Sequence, residues 1–137
     1  MEVGQFSGKK ILIADDEPSV RSLVKKLLSK KYIVLEANDG EEAVNMAFNQ
    51  QPDLILMDIL MPEMDGLTAC YAIKMNQATK AIPVVMLTVV AYELNKKLSK
   101  DIMGANGYIT KPFSPQDLMD TIGQFLTGSK KNRDEAL

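Results

Sequence analysis

The most continuous apolar stretch of the chain predicts a strand that is buried on both faces. At residues 54–58 the sequence LILMD places an unbroken apolar run before Asp58. Such a run is typical of the middle of a parallel sheet, because helices cover both faces and no polar alternation remains. Pro62 and the Asp65-Gly66 pair then predict a turn. The Asp58 carboxylate is therefore expected at the carboxyl end of a central strand.

Along the rest of the chain, short apolar runs alternate with amphipathic helical patterns. Further strands are predicted at residues 9–14, 33–37, 82–87 and 107–110. Helices are predicted from Pro18 onward and at residues 41–50, 66–77, 92–103 and 115–127. Strand and helix therefore alternate without a break from one end of this pattern to the other.

The first two helices show apolar stripes at helical spacing. The predicted buried face of the first helix contains Val20, Leu23, Val24, Leu27 and Leu28. Arg21 and the lysines of this helix are predicted to face water. In the second helix, Phe48 is predicted on the buried side together with Val44 and Ala47. Each helix is therefore expected to pack one face against the sheet.

Five consecutive βα units predict a doubly wound parallel sheet with helices on both faces, because the crossovers are right-handed. The flavodoxin-like strand order 2-1-3-4-5 is the arrangement we expect. In this order the first and third strands are neighbours. Asp15, Asp16 and Asp58 are then expected side by side at one edge of the sheet.

The overall composition is that of one soluble globular domain. Of the 137 residues, 46% are hydrophobic and 25% are charged. The domain is predicted over residues 9–127, between a loose segment at 1–8 and a polar tail at 128–137. The net charge of -2, with scattered lysines, disfavours nucleic-acid binding. No apolar run approaches the roughly 18 residues of a membrane span, and no leader pattern occurs, so a cytoplasmic protein is expected.

Two residue types limit the chemistry that this chain can perform. It contains no histidine, which excludes catalytic triads and histidine-ligated zinc. Cys70 is its single cysteine, predicted as a small core residue, so no intramolecular disulfide can form. Any reaction must therefore depend on carboxylates, lysines and hydroxyls.

Such groups stand at the ends of four predicted strands: Asp15-Asp16, Asp58, Thr88 and Lys111. In an open parallel sheet these ends border the ligand crevice. Two carboxylates about 4 Å apart repel by roughly 4 kcal/mol at an effective dielectric constant near 20, so the cluster requires a cation. An all-oxygen site with few protein ligands favours Mg²⁺.

The same groups suit phosphoryl transfer. Mg²⁺, the Lys111 ammonium and the Thr88 hydroxyl, with nearby backbone N–H groups, can each take one oxygen of the transferring group. Asp58 then remains free to act as the nucleophile and form an aspartyl phosphate.

Taken together, these residues resemble the receiver domain of two-component response regulators, in particular single-domain, CheY-like receivers. The motifs that carry the resemblance, over about residues 9–127, are Asp15-Asp16, Asp58 with Met61-Pro62 and Asp65-Gly66, Thr88, and Tyr108 with Lys111-Pro112-Phe113. The resemblance implies that Asp58 accepts phosphate from a sensor histidine kinase or a histidine phosphotransfer protein. It implies that Asp16, Asp58 and the Leu60 carbonyl ligate Mg²⁺, with Mn²⁺ as a substitute and Asp15 acting through a bound water.

The resemblance also assigns roles around the phosphate. Thr88 and Tyr108 resemble a switch pair, and the Val89 backbone N–H resembles a phosphate ligand. The Lys111–Pro112 bond is the candidate for a cis peptide. The switch is expected to act on the face formed by the fourth predicted helix, the fifth strand and the last helix, and the first helix is a candidate kinase-docking surface.

Three apolar residues depart from the commonest pattern of the family. Leu60 and Val90 stand where fast-hydrolysing receivers carry polar side chains, and Val89 stands where a small residue is usual. Nothing polar there would hold a water in line with the phosphorus, so a long-lived phosphoaspartate is expected.

Other functions use part of the same pattern. An aspartate-nucleophile phosphatase needs a second carboxylate two residues after the nucleophile, where this chain has Leu60. Nucleotide or flavin binding would require a glycine-rich loop after Ala14. Because no output domain follows residue 128, a stand-alone receiver with a protein partner is expected, as a monomer or a phosphorylation-dependent dimer. A phosphate sink or a relay intermediate is the alternative.

Overall fold

The computed structural model describes residues 6–89 and 104–128. Its strands are β1 (Lys10–Ala14), β2 (Ile33–Ala37), β3 (Leu54–Asp58), β4 (Val84–Val89) and β5 (Gly107–Lys111). Its helices are α1 (Pro18–Leu28), α2 (Gly40–Gln50), α3 (Gly66–Lys74) and the last helix (Pro115–Gly123), which continues as a π-helical turn (Gln124–Gly128). The helix predicted at residues 92–103 lies outside the described residues.

The five strands form one parallel sheet in the order β2-β1-β3-β4-β5, which confirms the predicted flavodoxin-like arrangement. At the carboxyl ends, Ala14 is opposite Met57, and Asp58 is opposite Leu87. The register therefore brings the residues that follow β1 and β3 to the same edge of the sheet.

Two hydrophobic cores cover the two faces of the sheet. Leu54 and Leu56 of β3 belong to the core under α1 and the last helix. Ile55 and Met57 belong to the core under α2 and α3, which also contains Cys70. Successive side chains of a strand point to opposite faces, which is why this strand has no polar alternation. Each large apolar side chain so buried contributes about 1.5–3 kcal/mol to folding.

Side-chain caps fix the start of most described helices, but α1 is different. The side chains of Asp39, Asp65 and Ser114 each accept a hydrogen bond from the backbone N–H three residues later, at 2.8 to 3.0 Å. The N-cap residue of α1 is Glu17, and its side chain makes no such bond. The start of α1 must therefore be held by other contacts.

Two predictions of buried helical residues are wrong. Phe48 is 54% exposed and Leu23 is 48% exposed. In α2 the buried contacts run through Ala43 and Ala47, and Phe48 lies a further 100° or so around the helix. Only part of each apolar stripe fits against the sheet, because the contact face is narrower than the stripe.

Some element boundaries also differ from prediction. Strand β4 begins at Val84 and extends to Val89, because Val89 pairs with Lys111 of β5. Helix α3 ends at Lys74, ahead of the predicted residue 77. The described helices are 9 or 11 residues long, and none of them combines the length and apolar character that crossing a membrane requires.

Candidate functional site

The carboxyl ends of β3, β4 and β5 and the turn after β1 enclose a cavity of about 290 Å³. Its lining residues are Asp16, Glu17, Asp58, Ile59, Leu60, Leu87, Thr88, Val89 and Lys111. Side chains that are distant in sequence thus meet in one crevice, at the edge of the sheet where the sequence predicts a ligand site.

Three carboxylates form an acidic cluster, defined here as Asp15, Asp16 and Asp58. One oxygen from each lies within 4.8 Å of the others. Asp15 is fully buried and Asp58 nearly so, whereas Asp16 is exposed. The predicted convergence of these three residues is therefore observed, with Asp16 and Asp58 facing the cavity.

Lys111 connects two members of the acidic cluster. Its Nζ lies 3.1 Å from Oδ2 of Asp15 and 3.3 Å from Oδ1 of Asp58. Since Lys111 ends β5 and the aspartates follow β1 and end β3, this ammonium joins three strands across the crevice. The side chain that sequence analysis assigns to a phosphoryl oxygen is already beside the assigned nucleophile.

Burial and the neighbouring charges shift two pKa values at this site. Burial, reinforced by the Asp15 charge, raises the pKa of Asp58 to about 6, although Lys111 opposes the shift. Burial acting alone would lower the pKa of the Lys111 ammonium, but the Asp58 and Asp15 carboxylates outweigh it and the pKa is raised. The ammonium therefore stays charged, and the Asp58 carboxylate lacks sufficient counter-charge.

The acidic cluster fits a hard divalent cation. Its donors are all carboxylate oxygens, and Lys111 is the one ammonium that the described residues place against them. One ammonium leaves the three carboxylates with an excess of negative charge when they are ionised. Oxygen-only donors with open space beside them suit Mg²⁺ and Mn²⁺ better than softer metals.

The turn after β3 holds the backbone of Asp58 in place. The Gly66 N–H donates to the Ile59 carbonyl at 2.8 Å. A Cβ atom at Gly66 would lie 2.1 Å from the Asp58 carbonyl oxygen, which is closer than real Cβ contacts come. Only glycine therefore allows α3 to begin this close to the end of β3.

Apolar side chains border the other side of the cavity. Leu60 is 53% exposed and Val89 is also exposed, whereas Thr88 is buried. The Thr88 hydroxyl donates to the Val89 carbonyl at 3.3 Å. Val90, predicted to act with Leu60 and Val89, lies outside the described residues.

Tyr108 lies on β5, and Thr110 of the same strand pairs with Thr88. The Tyr108 side chain is half-buried against the core that α2 and α3 cover. It also lines a second cavity, of about 410 Å³, beside the last helix. At the end of the strand, the Lys111–Pro112 peptide bond is cis.

Arg21 is a site neighbour that the sequence pattern missed. It was predicted to face water, but its side chain is only 14% exposed. Its Nη1 donates to the Asp15 carbonyl at 2.7 Å, and its Nε donates to Glu36 of β2 at 3.2 Å. The available signal was Glu36 itself, a carboxylate within an otherwise apolar strand.

Comparison with known proteins agrees with this geometry. A family model described as "Response regulator receiver domain" matches residues 11–123. The chemotaxis protein CheY of Halobacterium salinarum is 40% identical over 121 residues, covering 87% of this chain and 98% of that protein. Several other curated relatives are transcriptional regulators, and the chain spans about half of their length.

Solved structures show the same likeness. The chemotaxis protein CheY4 of Vibrio cholerae superposes with a TM-score of 0.81 at 35% identity, covering 88% of this chain and all of the other. The receiver domain of the sensor histidine kinase PA1611 of Pseudomonas aeruginosa, solved with a coordinated magnesium ion, gives 0.80 at 29% identity, covering 88% and 98%. The chain belongs to the response regulator receiver domain family of two-component systems.

Proposed function

We propose that this chain is a phosphoacceptor switch and that Asp58 receives the phosphoryl group. The donor is a phosphohistidine of a sensor histidine kinase or a histidine phosphotransfer protein. A carboxylate oxygen of Asp58 forms the new O–P bond as the N–P bond of the donor breaks, and the electron pair returns to the imidazole nitrogen. The observation that carries this proposal is a nearly buried carboxylate that faces an open cavity beside Lys111.

The acidic cluster supports a requirement for a divalent cation. Asp16, Asp58 and the backbone carbonyl of Leu60 would hold Mg²⁺ or Mn²⁺, and Asp15 would act through a metal-bound water. When bound, the cation neutralises charge on the phosphoryl oxygens. The magnesium ion in the cleft of the PA1611 receiver domain supports this assignment.

Three groups of this chain are assigned to the phosphoryl oxygens: the Lys111 ammonium, the Thr88 hydroxyl and the Val89 backbone N–H. All three residues line the cavity that Asp58 faces. Lys111 reaches Asp58 without rearrangement, whereas the Thr88 hydroxyl must leave the Val89 carbonyl. That movement is the local event that phosphorylation drives.

The switch couples this movement to Tyr108. Displacement of the Thr88 hydroxyl vacates space beside β5, and the half-buried Tyr108 ring moves inward to fill it. The signal then passes to the face formed by the fourth predicted helix, β5 and the last helix. Of these elements, the fourth helix lies outside the described residues.

An apolar cavity beside the site supports the first helix as the donor-docking surface. The cavity, of about 340 Å³, is lined by Val20, Leu23, Val89, Lys111, Pro112 and Phe113. Lys111 lines both this cavity and the cavity of about 290 Å³ that Asp58 faces, which we call the phosphoacceptor cavity. A helix that carries the phosphohistidine and packs here places its phosphorus near Asp58.

The remaining assignments concern the whole protein. We propose a stand-alone cytoplasmic receiver over residues 9–127, with 1–8 and 128–137 outside the domain. It acts as a switch rather than as a turnover enzyme, and it assists its own phosphorylation and dephosphorylation. It works as a monomer or a phosphorylation-dependent dimer that signals through a downstream protein. The Halobacterium chemotaxis protein, of which this chain covers 98%, is an example of a relative that consists of little more than the matched domain.

The alternative is a relay intermediate or a phosphate sink. The likeness to a receiver domain that belongs to a sensor histidine kinase favours this reading. A pull-down that compares phosphorylated with unphosphorylated protein separates the two functions. A switch captures a partner in only one state, whereas a sink exchanges phosphate with its kinase and captures no such partner.

Labelling with a small phosphodonor tests the central assignment. Purified protein incubated with acetyl phosphate and Mg²⁺ should gain one acid-stable, base-labile phosphoryl group, detected by intact mass. The Asp58→Ala variant should gain none. Asp120→Asn, which alters an exposed carboxylate of the last helix, should label like the wild type. Labelling that persists in Asp58→Ala refutes the assignment, and labelling without any divalent cation refutes the metal requirement.

A further inference from the structure

The turn after β1, which presents the acidic cluster, is held by Arg21, a residue in the first turn of α1. The Nη1 of Arg21 donates to the backbone carbonyl of Asp15 at 2.7 Å. This carbonyl stands where β1 leaves the sheet, since the last paired residue of β1 is Ala14. A guanidinium is a charged donor, and such hydrogen bonds are stronger than those between neutral groups.

Asp16 depends on this backbone contact more than the other two aspartates do. The Asp15 carboxylate accepts from the Glu17 N–H at 2.9 Å and from Lys111, and the Asp58 carboxylate also accepts from Lys111. Within residues 6–89 and 104–128, no hydrogen bond holds the Asp16 carboxylate. Its placement therefore depends on the backbone that carries it, and Arg21 binds the carbonyl of the peptide unit between Asp15 and Asp16.

The geometry points to Arg21 as a positioning residue for the divalent cation, acting through the Asp15–Asp16 peptide and oriented by Glu36. This inference rests on the proposed cation site. Arg21 does not touch the proposed ligands' carboxylates. It restricts the direction from which Asp16 presents its oxygen, because it binds the backbone carbonyl of the residue before Asp16.

Glu36 gives the arrangement its second fixed point. It lies on the edge strand β2, and its carboxylate takes Arg21 through Oε1 at 3.2 Å and Lys25 through Oε2 at 3.5 Å. The Arg21 side chain therefore spans from the sheet edge to the cation site. Glu36 also offsets a positive charge that would otherwise disfavour a nearby cation.

Lys25 provides a matched control, because it pairs with the same carboxylate but makes no contact with Asp15. Replacing either Arg21 or Lys25 with a neutral residue takes one positive charge away from the neighbourhood of the metal site. Charge alone therefore predicts tighter cation binding in both variants. Positioning predicts the opposite for Arg21: loss of a supporting contact behind a metal ligand commonly weakens affinity by tenfold or more.

The test is Mn²⁺ binding to the full chain, measured by calorimetry without any phosphodonor, for wild type, Arg21→Met, Arg21→Gln and Lys25→Met. We expect about tenfold weaker binding for both Arg21 variants. Lys25→Met, which removes a half-exposed surface pair, should remain within about threefold of wild type. Amide hydrogen exchange of the metal-free protein should accelerate at Glu17 in the Arg21 variants and stay unchanged in Lys25→Met.

Arg21 variants that bind Mn²⁺ as tightly as wild type, or more tightly, overturn the inference. Equal weakening in Lys25→Met also overturns it, because the effect would then belong to Glu36 or to the fold. Arg21→Gln decides the question if Arg21→Met does not fold. If the wild-type protein binds no Mn²⁺, the proposed cation site itself is refuted, which is a different outcome from failure of the role of Arg21.

Discussion

The two sides of the phosphoacceptor cavity differ in how they are built. The charged wall comprises the acidic cluster and Lys111, and ion pairs from Lys111 to Asp15 and Asp58 connect three strands. The apolar wall comprises Leu60 and Val89, whose side chains are exposed. The charged wall has the groups that attract and bind a phosphoryl group. The apolar wall has none that could direct a water molecule toward it.

Because the two walls differ, the rate at which the phosphoaspartate forms and the rate at which it is hydrolysed should depend on different residues. Formation of the acyl phosphate depends on charge neutralisation, which the charged wall supplies. Loss of the phosphate to water depends on placing a nucleophile in line with phosphorus, which requires a polar group on the approach side. Changes to one wall should therefore affect one rate far more than the other.

The largest effect should follow from Lys111→Met. Removing this ammonium takes away a donor for the phosphoryl oxygens, and loss of one such preorganised donor commonly slows reactions by about 100- to 1000-fold. The initial rate of labelling by acetyl phosphate measures the effect. Lys26→Met, which removes an exposed lysine of α1, should label at the wild-type rate.

A measurement of stability tells whether Lys111→Met labels slowly because the chemistry is impaired or because the protein is less well folded. Lys111→Met should unfold at nearly the same or a lower denaturant concentration than wild type, because Asp15 loses its ion pair. A labelling rate within about threefold of wild type would contradict the role of Lys111, since the expected loss is so much larger.

The second effect concerns the cost of keeping Asp58 ionised. Its pKa is raised from 3.8 to about 6 by burial and by Asp15, so the folded protein retains this proton more tightly than the unfolded chain does. Stability from this group is therefore fully present below about pH 4 and is lost as the pH rises through 6. Asp58→Asn should remove the penalty and, in cation-free buffer at pH 7.5, stabilise the protein by up to about 3 kcal/mol.

Chemical denaturation of both proteins between pH 4 and pH 8 checks this expectation. The difference between Asp58→Asn and wild type should grow through the window and level off above it. Mg²⁺ should reduce the difference, because it stabilises the ionised wild-type site. Asp120→Asn is the control and should run parallel to wild type. A difference that is constant with pH would contradict the raised pKa.

The sequence predicted the charged wall better than its surroundings, for a physical reason. Strand alternation and the placement of functional groups at strand ends follow from the patterns of short segments, and the flavodoxin-like fold class supplies the strand order. Asp15, Asp16, Asp58 and Lys111 therefore converge as expected. Because each lies at or directly after the end of a strand, errors in helix boundaries, such as the three residues at the end of α3, did not affect them.

The features that were missed depend on how elements meet in space. Apolar periodicity identifies a helical stripe but not which part of it the sheet covers, so Leu23 and Phe48 were wrongly assigned to the core. A charged residue beside that stripe was assigned to water by default. Arg21 is buried because Glu36 of β2 and the Asp15 carbonyl both lie within its reach, and the contact with Glu36 depends on how α1 packs beside β2.

The smallest expected effect is also the most direct test of the apolar wall. Leu60 lies at the mouth of the cavity and Val89 beside it, and neither can hydrogen-bond a water. The wild-type phosphoaspartate should therefore decay with a half-life nearer hours than seconds in Mg²⁺. Introducing polar side chains in the double variant Leu60→Asn, Val90→Glu should accelerate decay by about tenfold, which corresponds to only about 1.4 kcal/mol of barrier.

Decay is followed by intact mass after removal of the phosphodonor, and labelling by acetyl phosphate should change much less. Leu60→Met keeps the wall apolar at similar volume and should decay like wild type. A wild-type half-life of seconds, or equal decay in the polar and apolar variants, would show that water placement at this wall does not set the lifetime.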